Sequence, residues 1–167
     1  MQALLSAVLA ALVLVVPRLA LAEVPTGQPL DGIRCDRLEG TLFHIHQHLT
    51  IVAHGRPVPI PDDVGRPVLA QCIYWLHTHT PDGIIHVESP VFRSFTLGQF
   101  FAIWGQPLTP TDVAGVRTKR GAVRAYLDGH RYEGDPRTIP LSEHADIVLE
   151  LGPPYATPAP FTDWGVN

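Results

Sequence analysis

The segment from Leu42 to Val52 alternates between apolar and polar residues, and this alternation most constrains how the chain can fold. The apolar side chains of one face, which Gln47 interrupts, are Phe43, Ile45, Leu49 and Ile51. The polar side chains of the other face are His44, His46, His48 and Thr50. A repeat of two residues is typical of a β-strand with one face on the core. The segment therefore predicts a strand that presents three imidazoles on its second face.

A second alternating stretch runs from about Gln71 to His79 and carries another His-x-His pair, His77 and His79. The Thr-Pro-Asp-Gly sequence at 80–83 is a strong turn signal, and the alternation resumes from Ile84 to Glu88. The pattern predicts a β-hairpin with histidines on both arms. His86 and Glu88 lie two residues apart on the returning arm and are expected to face the same side.

The remaining segments predict a mainly β (α+β) fold. Thr96 and Gln99 form a capping box that begins one short helix, which ends at Gly105. Further β segments are expected at 122–127, at 131–132 after an Asp-Gly turn, at 139–141 and at 147–151. We therefore expect antiparallel sheets or a small β-sandwich or barrel, with one short helix between two β regions.

Three segments are expected along the 167 residues. Residues 1–22 are predicted to be a signal peptide, because an apolar stretch is followed by Ala20-Leu21-Ala22, a small-x-small cleavage pattern. An uncleaved N-terminal anchor is the alternative. Residues 23–151 are predicted to form a single β-rich domain, and 152–167 a proline-rich tail that Phe161 and Trp164 hold on the surface. The signal indicates export to the periplasm or the medium.

Charge and cysteine content narrow the possible partners. A net charge of −4 with a pI near 6.1 provides no basic surface for nucleic acid. After signal cleavage no segment is long and apolar enough to span a membrane, and the sequence indicates no particular protein partner.

Cys35 and Cys72 are an even pair in an exported chain, which predicts a disulfide, with a thiolate ligand or nucleophile as the alternative.

The histidines predict a metal site. Two residues two apart on a strand lie about 6.5–7 Å apart, so a twisted strand can bring two imidazoles to one ion. The predicted ligands are His44, His46, His48, His77, His79 and His86. Imidazole donors suit Cu(II) or Zn(II), with Fe(II) as a lesser candidate. The alternative is a wet strand face with solvated histidines, and we expect that role for His54, His130 and His144.

Three functions are compatible with such a site. The first is an exported protein that binds, sequesters or delivers Cu(II) or Zn(II). The second is a small metalloenzyme for oxygen chemistry or hydrolysis, with one open ligand position and Glu88 as proton acceptor. The third is a metal-free module that binds another protein through its polar strand face and its tail.

Three stretches of the chain resemble a group of small exported bacterial proteins to which no activity is assigned. They are the Phe-His-Ile-His-Gln-His-Leu run at 43–49, the Tyr-Trp-Leu-His-Thr-His run at 74–79 and the Thr-Leu-Gly-Gln-Phe-Phe run at 96–101. The resemblance covers most of residues 31–151. It implies export and brings no activity with it.

Overall fold

A computed structural model describes residues 27–155 and 159–164; the predicted signal peptide lies outside this range. The first half contains β1 (Cys35–Asp36), β2 (Phe43–Ala53), β3 (Arg56–Pro57), β4 (Ile73–Tyr74), β5 (Leu76–His77), β6 (Ile84–Ser89) and helix α1 (Leu97–Trp104). The second half contains β7 (Leu108–Thr109), β8 (Asp112–Val113), β9 (Val116–Arg117), β10 (Val123–Leu127), β11 (His130–Tyr132) and β12 (Asp146–Leu151). Short 3-10 turns lie at Val68–Ala70 and Pro136–Thr138.

Seven strands form one open sheet in the order β11-β10-β12-β2-β6-β5, with β3 against β2. The mainly β prediction with one helix is confirmed, and among the described residues the sheet does not close into a barrel. The sheet is mixed, because β12 pairs with β2 in parallel whereas the other pairs of this sheet are antiparallel. The longest strand, β2, has 11 residues and lies near the centre of this strand order.

The apolar face of this sheet and helix α1 share one core. The alternating residues of β2 contribute Ile45, Leu49 and Ile51, all buried, and α1 contributes Phe100 and Phe101. The capping box is present as predicted, since the backbone N–H of Thr96 donates to Gln99 Oε1 at 3.1 Å. The helix ends where Gly105 adopts a left-handed conformation.

Gln47 is the polar exception on the core face of β2. Its side chain is fully buried, and neither its amide nitrogen nor its carbonyl oxygen has a hydrogen-bond partner. An unpaired buried amide costs stability, about 1–3 kcal/mol by mutational experience.

The opposite face of the sheet, which we call the polar face, is partly covered by the C-terminal tail. Phe161 stacks on His48 with ring centroids 3.6 Å apart, and its backbone N–H donates to Asp146 Oδ2 at 3.0 Å. Further along, the guanidinium of Arg124 lies 3.4 Å from the ring centroid of Tyr155. The other end of the polar face is formed by β5, β6 and the start of β2.

The outer edge of β5 is closed by residues 61–66 instead of a strand. The backbone N–H of Tyr74 donates to Gly65 O at 2.8 Å, and that of Thr78 donates to Val64 O at 3.1 Å. The Thr78 hydroxyl in turn donates to Pro61 O at 2.9 Å. The loop thus protects the edge and buries the side of β5 that faces away from β6.

Three local predictions differ from the structure. The strand predicted at 71–79 is interrupted, because β4 pairs with β1 whereas β5 pairs with β6. The segment 139–141 forms only one isolated bridge, between Thr96 and Pro140. Residues 108–117, where the sequence predicts no strand, form a small sheet of β7, β8 and β9. Two-residue strands such as these are too short to show a repeat in the sequence.

Candidate metal centre

Strands β2, β5 and β6 bring six possible ligands together at one end of the polar face. Across the β2–β6 pair, His44 lies opposite Glu88 and His46 lies opposite His86. Across the β5–β6 pair, His77 also lies opposite His86. Because alternate residues share a face, these cross-strand pairs converge on one patch.

The first set of donors, which we call the inner group, consists of His77, His79, His86 and Glu88. One donor atom from each lies within 4.8 Å of all the others. His77 Nε2 and His79 Nε2 are 3.1 Å apart, and Glu88 Oε1 lies 3.6 Å from His86 Nδ1 and 3.7 Å from His77 Nε2. Three imidazole nitrogens and one carboxyl oxygen thus face a common point.

His77 is held in the tautomer that a ligand needs. Its Nδ1 donates to Tyr74 O at 3.0 Å, so its Nε2 carries the lone pair and points into the inner group. The side chain is fully buried, and burial lowers its pKa from 6.5 to about 3. Burial also lowers the pKa of His86 to about 3, and the neighbouring His79 and His46 lower it further. Both imidazoles are therefore neutral at pH 7.

His79 connects the inner group to a cation at the rim. Arg66 Nη1 lies 3.3 Å from His79 Nδ1 and 2.8 Å from Asp63 Oδ1. Because a guanidinium only donates, this contact leaves the proton of His79 on Nε2, from which it can donate to His77 Nε2. An ion bound at His79 Nε2 would replace that proton, and Arg66 could retain its bond to Asp63.

The second set of donors, which we call the outer group, consists of His44, His46 and His86. His46 Nε2 lies 3.0 Å from His44 Nε2 and also 3.0 Å from His86 Nδ1. One ring nitrogen has a single in-plane proton or lone pair, so it cannot form good hydrogen bonds with both neighbours. The histidine side chains become more exposed outward, from 16% at His86 to 46% at His44.

Glu88 lies between the two groups. Its Oε1 is 3.3 Å from His44 Nε2 and 3.9 Å from His79 Nε2. Burial raises the pKa of this carboxyl, and the neighbouring Glu39 carboxylate raises it further. A carboxylate that is costly to ionise when buried is stabilised by a bound cation.

Glu39 is a member of the site that the sequence did not indicate. Its Oε1 lies 3.9 Å from His77 Nε2 and 3.8 Å from His79 Nε2. It belongs to an irregular segment that the Cys35–Cys72 disulfide, predicted from the sequence, fastens beside β4. Gly40 allows this segment to pass close to β6, because a Cβ there would lie 2.5 Å from the carbonyl carbon of Ser89. A carboxylate four residues after Cys35 was the only available signal.

His48, predicted as a ligand, belongs to neither group. It shares the polar face with His44 and His46, but its Nδ1 lies 3.4 Å from Asp146 Oδ1 and its Nε2 lies 3.1 Å from the Asp82 carbonyl oxygen. Phe161 covers the ring. The tail therefore separates the third histidine of the strand from the other two.

The three histidines that we expected on the surface, His54, His130 and His144, are exposed. His54 Nδ1 contacts the Pro153 carbonyl oxygen at 2.8 Å, and the His144 ring packs against Trp164 with centroids 4.6 Å apart. They can therefore serve as matched controls for the clustered histidines.

Comparison with family models, curated proteins and solved structures finds no match for this chain. Across residues 27–155 and 159–164, no helix has the length and apolar character needed to cross a membrane.

Proposed function

We propose that this protein is exported and binds one Zn(II) or Cu(II) ion through the inner group, His77, His79, His86 and Glu88, in order to hold or deliver it. The observation that carries the proposal is the convergence of these four donors, from β5, β6 and the residues just after β5, within 4.8 Å of one another. Solvated surface histidines that bind no ion are not expected to bring their donor atoms so close together.

The spacing of the donors supports a small first-row ion. Tetrahedral zinc with ligands at 2.0–2.1 Å has neighbouring donor atoms about 3.3 Å apart. The observed separations, 3.1 Å between His77 and His79 and 3.6 Å between His86 and Glu88, lie on both sides of that value. Imidazoles with one carboxylate suit Zn(II) or Cu(II), and Fe(II) is the lesser candidate.

Binding is favoured over catalysis because the inner group supplies four donors, enough to complete a tetrahedral site. Glu39 adds a fifth donor, an oxygen 3.8 Å from His79 Nε2. An enzyme of the alternative kind needs an open position and a free base. Here Glu88, the expected base, is enclosed by four imidazoles and is better placed as a ligand.

The test is metal content and affinity of the full chain, exported and purified without a histidine tag. We expect near-stoichiometric zinc or copper by elemental analysis and, after chelation, tight reuptake of Zn(II) in competition with a chromogenic chelator. His86→Ala removes one of four ligands and should weaken binding by at least about 100-fold, more than the loss of an outer-shell partner.

His130→Ala is the matched control, since it removes an exposed histidine outside both groups and should change neither quantity. Wild-type protein that takes up no Zn(II) or Cu(II) at micromolar concentration would refute the proposal. The metal-free interaction module would then be the remaining function.

A further inference from the structure

We propose that the outer group binds a second metal ion, so that the protein holds two ions on either side of Glu88. This inference rests on the proposed function of the inner group. It starts from the number of donors, since His44, His46, His77, His79, His86 and Glu88 are more than one tetrahedral ion can use.

The donors do not converge on a single point but separate into two groups that share His86. One ring nitrogen binds one ion, so when the outer ion takes His86 Nδ1 the inner ion keeps His77, His79 and Glu88, and Glu39 lies 3.8 Å from His79 as a further donor. An ion surrounded by ligands at about 2.1 Å cannot reach donors more than about 4.2 Å apart. His44 and His46 lie 3.0 Å from each other and are not among the donors within 4.8 Å of His77 and His79. A single ion in the inner group therefore does not use them as ligands.

Three ring nitrogens meet at His46, with both separations 3.0 Å. Hydrogen bonding can satisfy one of these contacts but not both, because each ring nitrogen has one in-plane site. A cation that accepts all three lone pairs resolves the conflict. The outer group thus has the geometry of a three-nitrogen ligand set.

Glu88 is suited to serve both ions. Its Oε1 lies 3.3 Å from His44 Nε2 in the outer group and 3.7 Å from His77 Nε2 in the inner group, so the same carboxyl group reaches both. A bridging carboxylate also lowers the repulsion between two dications. The inner group has an additional acid, since Glu39 Oε1 lies 3.8 Å from His79 Nε2.

The experiment measures stoichiometry with Zn(II) on the metal-depleted full chain. We expect two equivalents for the wild type, one for His44→Ala, one for His79→Ala and two for the control His130→Ala. His44 is suitable because its side chain is 46% exposed, so its truncation removes a ligand without opening the core. Circular dichroism of each variant checks that the fold is retained.

Cu(II) provides a second readout that stoichiometry cannot mimic. Two Cu(II) ions sharing Glu88 are close enough to couple magnetically, so the electron paramagnetic resonance signal per copper should fall or broaden when the second equivalent is added. In His44→Ala the signal should stay that of an isolated ion.

The outcomes separate the two proposals. A wild type that binds one Zn(II), lost in His79→Ala and unchanged in His44→Ala, overturns the second ion and keeps the inner site. Two equivalents that persist in His44→Ala also overturn the outer group as their location. No binding at all overturns both proposals.

Discussion

Replacing Gly65 with alanine tests how closely the chain packs behind His77. Gly65 has a left-handed backbone with φ of +75°, and its carbonyl accepts from the Tyr74 N–H at 2.8 Å. A Cβ at this position would lie 2.5 Å from the Leu76 carbonyl oxygen and 3.1 Å from His77 Cβ. The substitution therefore combines backbone strain with a clash against the strand that carries the inner group.

The two effects can be separated with a second glycine. Gly121 has φ of +80°, and a Cβ there meets nothing within 4 Å. Gly121→Ala should lower the free energy of unfolding only by the cost of placing alanine in a left-handed conformation, about 1 kcal/mol. Gly65→Ala should lower the free energy of unfolding by the same amount and by a further ~1–3 kcal/mol for overpacking, because backbone atoms cannot move away as a flexible side chain could.

The assay is urea denaturation of the metal-free protein, followed by Zn(II) affinity of the folded variants. We expect Gly65→Ala to be less stable than Gly121→Ala by at least ~1 kcal/mol and to bind Zn(II) more weakly, since β5 must shift. Equal losses of stability in the two variants would show that residues 61–66 are not tightly packed against β5. Full zinc affinity in Gly65→Ala would show that the packing does not set the position of His77.

Three further predictions concern stability. Lowering the pH of the metal-free protein below 6.5 should reduce its free energy of unfolding, by roughly 1 kcal/mol per pH unit for each of two histidines. The reason is that unfolded imidazoles take up protons whereas folded His77 and His86, with pKa values of about 3, do not. The loss should continue towards pH 3, and a urea midpoint constant between pH 7.5 and 5 would contradict it. Gln47→Met should raise the stability by about 1–3 kcal/mol, because it removes an unpaired buried amide, and calorimetry showing a lower Tm would refute this. Replacing both Cys35 and Cys72 with alanine should cost about 3–4 kcal/mol by opening a loop of 37 residues, and unchanged denaturation would reject this estimate.

The sequence predicts the site best where local periodicity controls the geometry. His44 and His46 share a face because β2 alternates, and the turn at 80–83 returns His86 and Glu88 towards His77. These features depend on residues close in sequence, so a period of two is enough to find them.

The parts that the sequence did not predict depend on distant contacts. His48 has the same alternation as His46, but Phe161, more than a hundred residues later, stacks on it. Glu39 reaches the inner group through a disulfide and a close pass of Gly40. The parallel pairing of β12 with β2 likewise has no local signature, because the residue pattern of a hydrophobic strand does not distinguish parallel from antiparallel pairing.

That parallel pairing has a consequence for the order in which the molecule can assemble. The donors of both groups come from residues 44–88, whereas β12, the other neighbour of β2, begins at Asp146. Contacts between residues near in sequence form earlier than those that close long loops. A chain emerging N-terminus first could thus gather its ligands around an ion while the second half is still being synthesised. The ion would then act as a nucleus for the sheet, and the C-terminal half would close around an existing centre.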